Sequence, residues 1–227
     1  MKDIKVVLLD IDNTLLDFNE GSKASMQLCF EKFGLAYRKE MFPVFIRIND
    51  GLWNRIEKGT LTKDELHKIR WGLVFSELGI DFDGVTFERE FLETLKTSAR
   101  PVEGAFELLE YLSKKYTLCA ASNAPYIQQI ARLENVGMMK YLEKLFISEK
   151  IGHPKPSTKF FDACFESLGD IPKSSVVMIG DSLSADIFGG IEYGLRTIWF
   201  NYGKSTVPEN LQADYVIYSL GEIKNIL

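Results

Sequence analysis

Four aliphatic residues, Val6-Val7-Leu8-Leu9, run directly into Asp10, with Asp12 and Thr14 close behind. An apolar run without alternation fits a strand buried on both faces, as in a parallel sheet. An Asp where such a strand stops lies at the carboxyl edge, where open α/β sheets bind ligands. On an extended chain Asp12 falls on the same side as Asp10. Two carboxylates that close repel each other unless a cation or a shared proton intervenes. Mg2+, a hard cation that takes oxygen ligands, is the simplest resolution. Asp-x-Asp also opens calcium loops, which need Gly at the sixth position and Glu at the twelfth. Those positions are Leu15 and Gly21, so that reading is rejected. Asp and Thr after a strand can also close a turn, and the first motif alone leaves that open.

The rest of the chain repeats the pattern. Apolar runs at Tyr116–Ala121, Leu145–Ile147, Ser175–Ile179, Arg196–Phe200 and Tyr215–Ile217 read as strands. Helical stretches separate them, from about Ala105 to Lys114 and from Ser157 to Leu168, with Pro125 suited to a helix's first turn. Alternating strands and helices mean right-handed βαβ units and a parallel sheet. Between Phe18 and Ser98 no strand is evident. Phe18-Asn19-Glu20-Gly21 reads as a hinge, and Ser22 as an N-cap. Thr62 with Glu65 forms a capping box. The predicted architecture is α/β: a Rossmann-like core at 1–17 and 99–227, with an α-helical insertion at 18–98.

Composition narrows the function classes. The 227 residues are 46% hydrophobic and 26% charged, ample for a core. The net charge of −5 and pI of about 5.3 argue against a nucleic-acid polymer as partner. Cys29, Cys119 and Cys164 are too scattered for a disulfide framework or a zinc site, and Cys119 reads as a small core residue. Lys2, Asp3 and Lys5 precede only four strongly apolar residues, too few for a signal peptide or a membrane span. The expectation is a cytoplasmic protein with no membrane partner, a monomer or weak homodimer.

Three strands end on polar groups, Asp10, Ser122 and Asp181, and in a parallel sheet those ends share one edge. Ser122-Asn123 can cap the next helix or bind a phosphate. Lys155 lies between Pro154 and Pro156, which suits a positioned cation, although most lysines are merely solvated. His153 beside it reads as a loop residue. Asp181 and Asp186 sit five apart at a strand-to-helix turn. They can favour a helix start, or complete a metal site and orient Lys155.

Asp10-Ile-Asp12-Asn-Thr14, then Ser122-Asn123, then Lys155-Pro156, then Gly180-Asp181-Ser182 with Asp186, resemble the four ordered motifs of the haloacid dehalogenase-like hydrolases. The resemblance spans the core, and four ordered motifs at strand ends are far more specific than any one. It implies Mg2+-dependent hydrolysis of a phosphate monoester, with Asp10 as nucleophile and Asp12 as general acid and base. Asp10, Asp12 and Asp181 would hold Mg2+. Ser122, Asn123 and Lys155 would bind phosphate, and Asp186 and Thr14 would support them. The insertion looks like that family's mobile helical cap. Ile48-Asn49-Asp50-Gly51-Leu52-Trp53, Lys58 to Thr62, and Arg70-Trp71 resemble house-cleaning 5'-nucleotidases acting on pyrimidine and non-canonical nucleoside monophosphates, as does Trp199-Phe200-Asn201. The implied partner is a small phosphorylated metabolite, a nucleoside monophosphate, with Phe18, Asn49 and Trp53 as specificity residues. Trp53 can equally be packing inside the cap. The alternatives are a sugar-phosphate or phosphoglycolate phosphatase, a phosphomutase, and a non-catalytic binding protein. A dehalogenase is disfavoured, because that subgroup lacks an acid at the position of Asp12.

Overall fold

A computed structural model describes all 227 residues. In chain order the elements begin with β1 (Val6–Leu9), α1 (Phe18–Lys32), α2 (Met41–Glu57), α3 (Lys63–Leu78), α4 (Gly84–Thr97) and α5 (Ala105–Leu112). Then come β2 (Thr117–Ser122), α6 (Tyr126–Asn135), β3 (Lys144–Ile147), α7 (Ser148–Ile151) and α8 (Thr158–Leu168). The chain ends with β4 (Val176–Gly180), α9 (Gly189–Tyr193), β5 (Arg196–Phe200) and β6 (Tyr215–Ile217). Two units result: Met1–Phe18 with Arg100–Leu227, and Asn19–Ala99. No helix is long and apolar enough to cross a membrane.

The first unit is a six-stranded sheet in the order β3-β2-β1-β4-β5-β6, every pair parallel. β1 lies in the middle, which is why Val7, Leu8 and Leu9 are wholly buried and can all be aliphatic. The order reverses at β1, with β2 on one side and β4 on the other. Such a reversal opens a crevice at the carboxyl edge. Register fixes what lines it. Leu9 pairs with Ala120 and with Ile179, so the three strands reach that edge within a residue or two of one another. One face of the sheet carries Val6, Leu8, Cys119, Ala121, Val176 and Met178, and packs on Phe160, Phe161 and Cys164 of α8. Side chains of this size contribute roughly 1.5–3 kcal/mol each when fully buried. All three cysteines are buried and unpaired. Burial pushes the Cys29 thiol up to about 11 and the Cys119 thiol up to about 12.

The second unit is all helical. Trp71 is wholly buried, 4.2 Å from Phe87, 5.0 Å from Phe45 and 5.2 Å from Phe91 between ring centroids. Aromatic side chains bring large areas to such a core. α3 starts with the expected capping box: Thr62 Oγ1 accepts from the Glu65 N–H at 3.2 Å, and the Glu65 carboxylate accepts from the Thr62 N–H at 2.8 Å. α3 and α4 meet backbone to backbone. A Cβ on Gly84 would lie 2.3 Å from the Gly72 nitrogen, so only glycine fits there.

The segment after the first motif differs from expectation. Helix α1 already begins at Phe18, so Phe18–Gly21 is helical, and the boundary between the two units falls at its start. The Phe18 N–H donates to Asn13 Oδ1 at 3.1 Å, which serves the helix's first free donor from an earlier residue. Ser22 is therefore interior and buried, its hydroxyl donating back to the Asn19 carbonyl at 3.2 Å.

Candidate active site

The shared edge gathers the expected charges from two strand ends, a helical turn and a loop. Asp10 follows β1, Asp181 follows β4, and Asp186 sits in a single π-helical turn, Leu183–Phe188, that opens the next helix. Carboxylate oxygens of Asp10, Asp181 and Asp186 lie within 4.8 Å of one another. Lys155 enters from the loop before α8 and is 2% exposed. Its Nζ donates to Asp10 Oδ1 at 2.8 Å, to Asp186 Oδ1 at 2.6 Å and to the Ala121 carbonyl at 2.6 Å. All three ammonium donors are thereby used.

Gly180 makes this packing possible. A Cβ there would stand 2.1 Å from Asp186 Oδ2. Asp186 also accepts from the Ser182 N–H at 3.1 Å, so both of its oxygens are engaged. Trp199 Nε1 donates to the Asp181 carbonyl at 2.8 Å, which ties the metal-side loop to β5.

One ammonium among three carboxylates leaves excess negative charge. Burial pushes the Asp10 carboxyl up to about 7, with Lys155 pulling against it and Asp186 and Asp12 adding to it. Burial, then Asp10 and Asp186, hold Asp181 well above the usual carboxylate range. Asp186 is raised by burial against the pull of Lys155. For Lys155, burial pushes down, but Asp10 and Asp186 more than reverse it. An all-oxygen cluster with surplus negative charge fits a hard divalent cation. With Asp186 spent on Lys155 and Ser182, the Asp10 and Asp181 side chains are the donors left for it.

On the phosphate side, Ser122 Oγ accepts from the Ala124 N–H at 3.1 Å and from Gln129 Nε2 at 2.9 Å. Its own proton is left to donate. Asn123, beside it, reaches the backbone of Lys155. Its Nδ2 donates to the Lys155 carbonyl at 2.9 Å, and its Oδ1 accepts from the Lys155 N–H at 2.8 Å. That side chain fastens the Lys155 loop. Thr14 is fully buried beneath the first motif. His153 is exposed on its loop.

The specificity candidates lie in or at the border of the helical unit. Phe18 is half-buried at the start of α1. Trp53 is half-buried and packs on Leu52, Ile56, Leu61 and Leu66. Asn49 is buried. Arg70 Nη1 donates to its Oδ1 at 2.8 Å, and Arg70 pairs in turn with Glu88, which also meets His67 at 2.7 Å. Asn49 thus satisfies a buried guanidinium.

Two residues at the edge were not foreseen. Gln129 Nε2 donates to Asp12 Oδ2 at 2.7 Å, and Arg132 Nη1 donates to Asp12 Oδ1 at 2.5 Å and to Gln129 Oε1 at 2.8 Å. Both come from α6, and both are fully buried. Nothing in the sequence of α6 singles them out: the helix exposes Ile127 at 63% and turns Gln129 and Arg132 inward, an orientation that only the tertiary packing sets.

Known proteins resemble the chain along its whole length. The chain is 33% identical to Bacillus subtilis YfnB, named as a HAD-hydrolase, over all of this chain and 97% of that protein. A crystal structure of YfnB bound to magnesium superposes with a TM-score of 0.93 at 31% identity, covering 100% of this chain and 99% of the other. The pyrimidine 5'-nucleotidase PynA of Streptococcus pneumoniae is 31% identical over 98% of this chain and 97% of its own length. The pyrimidine 5'-nucleotidase YjjG of Escherichia coli is 29% identical over 97% and 96%. The family model for haloacid dehalogenase-like hydrolases matches residues 4–194. With that match and the full-length likeness to YfnB, the chain belongs to the haloacid dehalogenase-like hydrolases.

Proposed function

We propose that this hydrolase is a Mg2+-dependent phosphatase that acts through an aspartyl phosphate, with pyrimidine nucleoside monophosphates as substrates. The observation that carries the reading is the buried contact of Lys155 with Asp10 beside Asp181. Lys155 holds Asp10 Oδ1, and the other oxygen attacks phosphorus. Covalent capture splits one difficult displacement into two easier ones. Asp12 gives a proton to the departing alcohol oxygen, then takes one from the water that attacks the phosphoenzyme. Lys155 and the Ser122 hydroxyl meet charge on the phosphoryl oxygens. Asp10, Asp181 and the Asp12 carbonyl would hold Mg2+, which supplies charge neutralisation to the phosphoryl group.

Every core group named above serves the phosphate or the proton on the departing oxygen. Substrate choice therefore falls to the helical unit. The likeness to PynA and YjjG supports a pyrimidine nucleotide. Trp53, aromatic and half-buried, is the candidate for stacking on a base, a contact worth about 1–3 kcal/mol in nucleic-acid complexes. The test is a matched panel of pyrimidine monophosphates, sugar phosphates and phosphoglycolate with Mg2+. Pyrimidine monophosphates are expected to lead in kcat/KM, and Trp53→Ala to narrow that lead. A preference of about tenfold, or about 1.4 kcal/mol, for sugar phosphates rejects the nucleotidase assignment. Inorganic phosphate release without a second substrate separates hydrolysis from phosphotransfer.

A further inference from the structure

Arg132 is an unusual residue to find at this edge. It is wholly buried, and its Nε and Nη2 donors have no hydrogen-bond partner. A buried guanidinium left partly unsatisfied is costly. Its ion partner is Asp12, whose side chain keeps 27% exposure and so stays accessible. Gln129 takes the other oxygen of Asp12 and is itself braced from two sides, accepting from Arg132 and donating to Ser122. The two residues are three apart on α6, so one helix face presents both together. A carboxylate gripped at both oxygens cannot rotate freely about its χ angles.

We propose that Arg132 and Gln129 form a clamp that fixes the Asp12 carboxylate for proton exchange, and so act as positioning residues in phosphate-ester hydrolysis. This rests on the phosphatase reading above. In the first step the bond from an Asp10 oxygen to phosphorus forms, the bond from phosphorus to the ester oxygen breaks, and the Asp12 proton passes to that oxygen. In the second step a water oxygen bonds to phosphorus, the Asp10–phosphorus bond breaks, and a water proton returns to Asp12. Each held oxygen of Asp12 keeps a second lone-pair site for that proton. The clamp touches neither ester nor phosphate. It aims the group that moves the proton, and small misalignments of such groups are expensive in rate.

The clamp makes a demand that a purely structural role does not. A nucleoside leaves as a poor leaving group and needs its oxygen protonated, whereas 4-nitrophenolate departs without help. The parameter kcat/KM reports the first step, and the second step is common to both esters. Arg132→Met, Arg132→Lys and Gln129→Leu are compared with the wild type on uridine 5'-monophosphate and 4-nitrophenyl phosphate. For Arg132→Met, kcat/KM should fall about a hundredfold on the nucleotide, the middle range for lost acid–base help, and less than about fivefold on the aryl ester. The kcat should fall on both esters, since the water step also uses Asp12. Arg132→Lys should recover at least about tenfold of the nucleotide loss. In an Asp12→Asn background, Arg132→Met should change kcat by no more than about twofold, because residues acting as a unit are not additive.

Equal losses of kcat/KM on the two esters, or a full extra loss in the Asp12→Asn background, overturn the clamp. Should Arg132→Met fail to fold by circular dichroism, Arg132→Gln carries the same comparison on the two esters. Wild-type protein that releases phosphate from neither ester defeats the phosphatase reading itself. Release by the wild type with equal losses in the variants defeats only the clamp.

Discussion

A single added methyl group at Gly180 would collide with the Asp186 carboxylate, 2.1 Å away. Gly180→Ala must therefore push Asp186 off Lys155 or bend the end of β4. Overpacking of this kind typically costs about 1–3 kcal/mol. The expected result is a folded protein with a lower melting temperature and at least tenfold lower phosphate release. An Ala variant with unchanged activity would show that the Lys155–Asp186 contact does not matter. At Asp10 the expectation is sharper. Asp10→Asn keeps the shape but removes the nucleophile, so turnover should vanish while circular dichroism is unchanged. Phosphate release near the wild-type rate from a sequence-verified sample would end the aspartyl-phosphate mechanism. Asp10, Asp181, Asp186 and Lys155 were all legible in the sequence, because strand ends and proline-framed loops are conspicuous in a one-dimensional string. Asn123 was only half legible. Its place after β2 could be read, but its pairing with the Lys155 backbone depends on a loop 32 residues away.

Helices hid more than strands did. Gln129 and Arg132 sit in α6 among other polar residues, with a spacing that any solvated helix can show. Only the tertiary direction of that face brings them to Asp12. The same holds for Asn49, Arg70 and Glu88, which come from α2, α3 and α4 and meet inside the helical unit. This buried group gives the unit an acid-sensitive joint. Burial pushes the Glu88 carboxyl up, but Arg70 and His67 outweigh it and hold it below its ordinary value. A lowered carboxylate contributes stability that is present above its unfolded pKa, about 4.3, and lost as pH falls through the folded value. Glu88→Gln leaves Arg70 buried without its counter-charge, which typically costs about 3–5 kcal/mol. Urea melts followed by tryptophan fluorescence should show that deficit at pH 7 and show it shrinking below about pH 4. A deficit independent of pH would mean that packing, not charge, is responsible. By contrast, the Thr62–Glu65 capping box was readable directly, because both partners lie within one turn.

At the scale of the whole molecule, a cation held at the carboxylate cluster would link its binding to stability. Raised carboxyl values mean that the cation-free fold gains from protons and loses that gain as pH climbs from about 4 towards about 7. Mg2+ should restore it by binding only the folded state. The rise in melting temperature on adding Mg2+ should therefore be larger at pH 8 than at pH 5.5, where protons compete. An equal rise at both values would place cation binding elsewhere. A chelator should likewise abolish activity, and Mg2+ should return it. The α/β architecture was legible throughout from strand–helix alternation, whereas the start of α1 was not, because Asn13 serves it from outside the helix. The central place of β1 also sets a schedule for biosynthesis. Val6 finds its sheet partners only in Thr117 and Val176. Ribosomes add roughly 5–20 residues per second, so this aliphatic segment waits about 5–20 s for its first neighbour. Throughout that interval the nascent chain carries a sticky leader with nothing to pair against. Chains stalled before β2 should partition with chaperones or into aggregates, whereas chains released after β4 should not.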